Sequence, residues 1–430
     1  MIDNREAVFY MKIKAQPFDI MQYFYSYVQP PLIRCCIRFT GKVKNERLLI
    51  ALKSILAEYP ILRCRYIAEK KEWIEASFCE NDYLSIITPD IEQKKIETEK
   101  LMSSLCIGID PPIRIFLICG EKNDTICIVV SHLVCDGKGF EQLIYSFSQY
   151  YSSDNSAKTF DCCEDIGKRR DFYQITESFS IYKKIKILYS KSPVSSNDAQ
   201  KTIPLIGKNT KPTILTRTVN ADMFFKVHSF VKKHNASLND AFLTAYARAL
   251  HDQFGWNDIT IPSPVDLRRF GGKQTKCSVC NLTGNYYCKV HIEQNEIYEV
   301  TLKKISTQMN RQKAGNTCLK GPILFHLLYR IMHYSILEKI FFKMSPISMI
   351  SYTNLGKIDE IKLCFTGSEI SEAFFATAIK PIPYFQLTVS SFKDQCTFSS
   401  CTYAGGRDLD VIAKLMDRIY EQFENIISIN

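Results

Sequence analysis

The sequence predicts an α/β (α+β layered) fold spread over two lobes. Its 430 residues exceed what one hydrophobic core ordinarily serves and suit two lobes of about 200 residues each. Segments with the two-residue period of strands alternate along the chain with segments of helical period, which is typical of layered α/β and α+β architectures. We expect a first lobe at 1–154, an inter-lobe connection at 155–212 and a second lobe at 213–430.

The first lobe begins with a strand and a helix and continues with a hairpin. Residues 33–41 alternate apolar side chains with basic or small ones, which predicts a half-buried strand. An apolar stripe across 45–58 predicts a helix. Apolar runs at 113–119 and 125–131 flank a charged turn and predict a hairpin of buried strands. Apolar residues at helical spacing across 140–147 predict a helix directly afterwards.

The second lobe is predicted to begin with a strand at 213–219 and a helix at 222–234. Ser237 and Asp240 have the spacing of a capping box and predict the start of the next helix. Gly255 predicts its end, because glycine adopts the left-handed conformation common just after a helix.

The most apolar stretch, residues 323–342, contains histidines and charged side chains and therefore fails as a membrane span. We expect one amphipathic helix that packs on the core. A strand region at 385–403 precedes the last helix. The apolar face of that helix is predicted to consist of Val411, Leu415, Ile419, Phe423 and Ile426.

Composition and charge exclude several classes of protein. The formal net charge is +10, but Lys and Arg are scattered, without the long basic runs of nucleic-acid-binding tails. We therefore expect no nucleic-acid partner and no stable membrane insertion. The 17 cysteines, with an amino-terminal sequence that lacks a signal-peptide pattern, predict a reducing compartment and hence a cytoplasmic location.

The segment SHLVCDGKGF (131–140) contains the most informative motif, in which His132 is followed by Asp136 and Gly137. A histidine that serves as a general base must be held rigidly in one tautomer, and the end of a buried strand provides such rigidity. The alternative interpretation is a core histidine followed by an aspartate that only caps the next helix.

This segment resembles the H-H-x-x-x-D-G motif of the superfamily of chloramphenicol acetyltransferase-like enzymes and condensation domains. Ser131 stands where the first histidine of that motif would be. Pro60 to Arg63 match the H-P-x-L-R hallmark of the superfamily, with Tyr59 in place of its histidine. Four further segments resemble the alcohol acetyltransferase and wax ester synthase branches of the superfamily most closely. These segments are ASLNDAFLTAYARAL, IPSPVDLRRF, GNYY and SYTNLGKI.

The resemblance implies two chloramphenicol acetyltransferase-like lobes with a tunnel between them and an acyltransferase activity. His132 would act as general base, so that an alcohol or amine attacks an acyl thioester without a covalent acyl-enzyme. The donor would be acyl-CoA or a phosphopantetheine-linked acyl group on an acyl carrier protein, bound as substrate and not as a permanent cofactor. The positive net charge would attract such acidic carriers.

The resemblance also assigns supporting roles around the histidine. Asp136 and Gly137 would shape the loop, and Asp136 would pair with an arginine, for which Arg268 is the first candidate and Arg63 the second. Ser351, Thr353 and Asn354 are candidates for oxyanion or substrate contacts, with ordinary strand packing as the equal alternative.

Three alternatives stay open at this point. The chain could be a free-standing condensation-type enzyme that forms amides from carrier-bound substrates, or a catalytically degenerate homologue that only binds a carrier or lipid. Cys277, Cys280, Cys288 and His291 are side chains that zinc accepts. We nevertheless expect no metal, because seven residues separate the two pairs and positions three apart on a strand point to opposite faces.

Overall fold

The computed structural model describes residues 11–153, 169–191, 201–272, 275, 277–344 and 348–428. Within these ranges the strands are β1 (Lys12–Lys14), β2 (Leu32–Phe39), β3 (Cys64–Ile67), β4 (Glu72–Glu75), β5 (Leu84–Ile87), β6 (Ile113–Cys119), β7 (Asp124–Ser131), β8 (Thr213–Val219), β9 (Asp258–Asp266), β10 (Thr283–His291), β11 (Ile350–Ile358), β12 (Ile370–Ala376), β13 (Phe385–Phe392) and β14 (Gln395–Thr402). The α-helices are α1 (Pro17–Tyr25), α2 (Asn45–Glu58), α3 (Glu80–Tyr83), α4 (Gln93–Leu101), α5 (Gly137–Ser152), α6 (Tyr173–Thr176), α7 (Ile181–Leu188), α8 (Ala221–Lys233), α9 (Leu238–Phe254), α10 (Tyr298–Ala314), α11 (Lys320–Ile331), α12 (Tyr334–Met344) and α13 (Arg407–Ser428).

The first lobe is built on a sheet with the strand order β12-β2-β7-β6-β5. The predicted β6–β7 hairpin is confirmed, since the two strands pair antiparallel from Ile113–Val130 to Cys119–Asp124. The predicted helices α2 and α5 are confirmed too, and both contribute apolar side chains to the first-lobe core. The outermost strand, β12, comes from the second half of the sequence.

Strand β2 is buried on both faces, so the prediction of a half-buried strand is wrong. Helix α4 and residues of β14 cover the face that the alternating pattern assigned to solvent. Arg34 on that face is fully buried and donates hydrogen bonds to the carbonyl oxygens of Leu101 (2.6 Å), Thr377 (3.0 Å) and Ser103 (3.2 Å). Because α4 ends at Leu101, the guanidinium satisfies carbonyls that a helix terminus leaves free.

The second lobe is built on a sheet with the order β11-β13-β14-β8, beside a β9–β10 antiparallel pair. Its core contains the inner faces of α8, α9 and α13, and buries four of the five residues expected on the last helix, with Val411 packed at the margin. The capping box of Ser237 and Asp240 is confirmed. Gly255 ends α9 with φ +68°, as expected.

The two lobes meet where β12, an edge strand of the first sheet, contacts β13 and β14 of the second. Phe375 on β12 donates its N–H to Ser390 Oγ (3.1 Å) and accepts a hydrogen bond from Ser399 Oγ (3.0 Å). One strand of the predicted second lobe, 213–430, is therefore part of the sheet of the first. The numerical lobe boundaries stay a prediction, and much of the proposed connection, 154–168 and 192–200, lies outside the described residues.

The apolar stretch 323–342 forms two helices, α11 and α12, and not the single helix predicted. Met332 between them is extended, with φ −103° and ψ 148°. The break allows Ile323 of α11 to pack in the second-lobe core, whereas Leu337 and Phe341 of α12 pack in the first-lobe core. No helix in the described ranges combines the length and apolar content required to cross a bilayer.

Candidate active site

His132 lies immediately after β7, at the end of a buried strand. Its backbone N–H donates to the Pro31 carbonyl (2.7 Å), which continues the β2–β7 pairing by one residue beyond Leu32–Ser131. Its neighbours Ser131 and Leu133 are buried, but His132 itself is only half-buried. The strand end thus fixes the histidine backbone and leaves the residue partly accessible.

Asn281 fixes the orientation of the imidazole ring. Its amide nitrogen donates to the carbonyl oxygens of His132 (2.8 Å) and Leu133 (3.1 Å), and its Oδ1 lies 3.1 Å from His132 Nδ1. Since Nδ2 must donate to the two carbonyls, Oδ1 can only accept, and Nδ1 therefore carries the proton. In the neutral ring Nε2 is then left with a free lone pair.

The surroundings favour this neutral form. Burial is the largest influence and lowers the pKa of His132 below its ordinary value. The charge of Asp136 and the Asn281 hydrogen bond raise that pKa by smaller amounts, and the charge of Lys380, the weakest of these influences, also lowers it. At neutral pH the ring can therefore accept a proton.

Asp136 does not contact the imidazole by a hydrogen bond; it fixes the loop. One carboxylate oxygen accepts the Gly139 N–H (2.9 Å) and caps α5. The other accepts from Leu282 N (2.7 Å), Thr283 Oγ1 (3.0 Å) and an Arg268 guanidinium nitrogen (2.9 Å). Burial alone would raise the pKa of Asp136, but Arg268 and these hydrogen bonds hold it below its usual range.

Arg268, and not Arg63, lies against Asp136. Arg268 is 2% exposed and also donates to the carbonyls of Ser278 (3.0 Å) and Cys280 (2.8 Å) and to Asp266 (2.9 Å). Arg63 instead pairs with Glu75 (3.0 Å) in a half-exposed position and donates to the carbonyl of Leu56. The structure thus brings together the motif and the DLRR segment.

A side chain at either of two glycines of the motif, Gly137 or Gly139, would meet a different neighbour. A Cβ on Gly137 would lie 2.0 Å from the flexible end of Leu355, on β11 of the second lobe. A Cβ on Gly139 would lie 2.8 Å from Cys135 Cβ and 3.0 Å from the Cys280 carbonyl oxygen, neither of which can move easily. The close approach of Cys135 and of the Cys280 backbone therefore requires a small residue at Gly139, whereas the Leu355 side chain could move away from a Cβ at Gly137.

The three candidates on β11 differ in what their polar groups contact. Ser351 Oγ donates to the Phe385 carbonyl (3.2 Å), and the Asn354 amide donates to Asn239 Oδ1 (3.0 Å). Thr353 is buried, and its side chain lies on the face of β11 opposite Tyr352, which packs in the second-lobe core. A bulge at Leu355 interrupts the alternation beyond Asn354.

Three residues around His132 could not be found from the sequence motif, because they lie far from it along the chain. They are Asn281, Lys380 and Arg170, the last of which comes from the connecting segment. Arg170 donates to the carbonyls of Val134 (2.7 Å) and Val279 (2.8 Å) and pairs with buried Asp19 (3.0 Å). Asn281 lies three residues before the GNYY segment, which is the nearest hint that the sequence contains.

The zinc-type side chains take other roles. Cys280 is buried 3.9 Å from an Arg268 nitrogen, and Cys288 belongs to the second-lobe core. His291 is exposed and contacts Asp258 (2.9 Å) and Glu293 (3.2 Å). In the part of the chain that the structure describes, no cluster of three or more His, Cys, Asp or Glu side chains could hold a metal ion.

A small cleft with room for about one water molecule (about 20 Å³) borders the motif on the first-lobe side. Ser131 and Leu133, the two neighbours of His132, form part of its wall, together with Cys64, Trp73 and Pro112. The wall does not include His132 itself. The continuous tunnel between the lobes stays a prediction.

Comparison with solved structures identifies the fold. The chain is similar over 97% of its length to trichothecene 15-O-acetyltransferase from Fusarium sporotrichioides (TM-score 0.69, 12% identity, 96% of that chain). It is similar to the first condensation domain of the CDA synthetase (TM-score 0.66, 12% identity, 97% and 96% covered). Polyketide synthase associated protein 5 from Mycobacterium tuberculosis is also similar (TM-score 0.63, 12% identity, 94% and 97% covered).

No family model matches the chain, and no curated protein sequence matches it. The similarity therefore rests on the arrangement of the backbone over nearly the whole length, at a sequence identity that carries the fold alone. The chain has the two-lobed fold of the superfamily of chloramphenicol acetyltransferase-like enzymes and condensation domains.

Proposed function

We propose that this protein is an acyltransferase that moves an acyl group from an acyl thioester to an alcohol or amine. His132 is its general base, and the donor is acyl-CoA or an acyl carrier protein. The main support for this proposal is the pair of contacts between Asn281 and His132. They leave Nε2 of a neutral, half-buried imidazole free to accept a proton.

The reaction needs no covalent acyl-enzyme. Nε2 of His132 takes the proton from the acceptor O–H or N–H while the acceptor attacks the thioester carbon. The carbonyl oxygen becomes an oxyanion, for which Thr353 is the proposed donor because it is buried on the face of β11 opposite the second-lobe core. Collapse of the tetrahedral intermediate breaks the C–S bond, and the departing thiolate takes the proton back from the imidazolium.

Asp136 and Arg268 are positioning residues in this proposal. Their mutual neutralisation fixes the loop that ends at α5, without a direct contact with the reacting atoms. Arg170 is also a positioning residue, because it donates a hydrogen bond to the carbonyl of Val134 within the motif.

The test follows free thiol release from acyl-CoA thioesters of graded chain length, with a panel of alcohols and amines, in the wild-type protein and in His132→Ala. We expect the variant to lose about 10²- to 10⁴-fold in rate. A His291→Ala variant is the matched control, because that histidine is exposed and paired on the surface. Equal traces for wild type and His132→Ala would overturn the proposal in favour of a degenerate binding protein.

A second candidate function is amide formation between carrier-bound groups. The similarity to condensation domains favours it. The two functions use the same histidine and differ in the donor. They also differ in the acceptor, which is a free alcohol or amine in the first function and a carrier-bound amine in the second. Offering the same amine free and loaded on a carrier protein separates them, because a condensation enzyme would use only the carrier-bound amine.

A further inference from the structure

Lys380 is a buried lysine held at the junction of the two sheets. Only 6% of it is exposed. Its backbone N–H donates to the Cys401 carbonyl (2.9 Å) and its carbonyl accepts the Tyr403 N–H (3.0 Å), so the end of β14 and the segment after it hold the main chain on both sides. The starting point of the side chain is therefore fixed by the second lobe.

The paths of three strands bring Lys380 to the edge of the sheet that carries His132. β2 pairs its first residue, Leu32, with Ser131 at the end of β7, and Ala376 at the end of β12 pairs with Arg34. The chain then leaves the ladder with β2, and Lys380, four residues after Ala376, forms a bridge with Thr402 at the end of β14. The electrostatic effect of Lys380 on the pKa of His132 agrees with this proximity.

The Lys380 ammonium has no carboxylate partner among the described ion pairs, and burial lowers its pKa to about 7. Two other buried cations in the region have partners. Arg34 is surrounded by carbonyl oxygens, and Arg268 by two carboxylates. A buried charge without a partner is costly, and methionine would fill the same volume without that cost.

We propose that Lys380 binds a substrate carboxylate that lies next to the reacting groups at His132. The inference rests on the proposed function and adds the substrate class, an acidic acyl donor or an acidic acceptor. The phosphates of a coenzyme A or phosphopantetheine donor are a poor match, because the pantetheine arm separates them from the thioester.

The experiment compares pairs of substrates that differ only in a carboxylate. Succinyl-CoA and butyryl-CoA test the donor, whereas phenylalanine and 2-phenylethylamine test an amine acceptor and 3-hydroxybutyrate and 2-butanol test an alcohol acceptor. We expect wild type to prefer the acid of one pair at least about tenfold in kcat/KM, which is the value of a charge-assisted hydrogen bond. We expect Lys380→Met to lose that preference and the exposed control Lys357→Met to keep it. The pair that responds identifies the source of the carboxylate.

Binding is measured in parallel as the shift in melting temperature that each compound produces. If His132→Ala and wild type release thiol equally, the proposed function fails, but an acid-specific shift that disappears in Lys380→Met would still support the carboxylate site. A wild-type protein that prefers the neutral member of every pair, in turnover and in melting shift, would overturn the inference. So would a Lys380→Met protein that keeps the wild-type preference.

Discussion

The Asp136–Arg268 ion pair and the side chains of His132 and Lys380 belong to the same region of the protein, but their polar atoms are used in opposite ways. Asp136 accepts hydrogen bonds from Gly139, Leu282 and Thr283 as well as from Arg268. The polar groups of His132 and Lys380 are left largely unused: Nε2 of the imidazole is free, and the ammonium has no carboxylate partner among the described ion pairs.

This difference separates a structural charge from a functional one. A buried ion pair whose atoms are all used can hold a loop but cannot respond to a ligand. A base and a cation that are desolvated and unused are poised to interact with whatever enters. The four predictions below test this distinction, in order of decreasing effect.

Replacing Asp136 with Asn should break the structural pair and reduce the free energy of unfolding by about 3–5 kcal/mol, because Arg268 would remain buried with less compensation. Denaturant unfolding monitored by circular dichroism measures the loss. Asp266→Asn is the matched control and should cost less, since the Asp266 side chain is 39% exposed. An unchanged midpoint for Asp136→Asn would remove the structural role.

Replacing Asn281 with Leu should lower kcat about 10- to 100-fold, because the ring would lose the acceptor that fixes its tautomer. Steady-state kinetics at the pH optimum measure this loss. Asn281→Asp keeps an acceptor for Nδ1–H, but its second carboxylate oxygen would face the carbonyls of His132 and Leu133, so kcat should stay below that of wild type. Its added negative charge should move the acid limb of the pH profile upward. A Leu variant as active as wild type would contradict the assigned tautomer.

The pH dependence of kcat/KM should show an acid limb below 6.5, the ordinary pKa of histidine, since burial lowers the pKa of His132. Activity requires the neutral ring and therefore rises as pH increases through this pKa. Lys380→Met removes a positive charge that lowers the same pKa, so the limb should move upward toward 6.5. A limb that stays in place would mean that Lys380 does not act on His132.

Replacing Arg63 with Met should have the smallest effect, a loss of at most about 1 kcal/mol. The side chains of the Arg63–Glu75 pair are 35% and 30% exposed, and such ion pairs contribute little. Thermal unfolding measures the change against Arg268→Met, which should be far more damaging. Equal losses for the two variants would mean that Arg63 has a structural role beyond this pair.

Much of the fold could be predicted because local pattern and tertiary structure agree. The β6–β7 hairpin, the capping box of Ser237 and the glycine that ends α9 depend on neighbouring residues, and the structure contains each of them. The exposure of β2 could not be predicted in this way, since α4 and β14 cover it from distant parts of the sequence.

The site was predictable only where the motif is contiguous. His132 and Asp136 stand in one short segment, and the DLRR segment offered Arg268 as a candidate. Asn281 lies 149 residues from His132, and Lys380 follows β12, which pairs with β2 from a distant part of the sequence. Neither forms a local pattern, because it is the folded backbone, and not spacing along the chain, that brings these side chains to the histidine.

The pairing of β12 with β2 has a consequence for folding during synthesis. Until residues 370–376 have left the ribosome, β2 is an edge strand with an unpaired row of backbone groups. The residues that are synthesised first cannot complete the first sheet, because β12 pairs with β2 across more than 300 residues of sequence. Folding should therefore be slow and largely post-translational, with a period in which β2 needs protection from other chains.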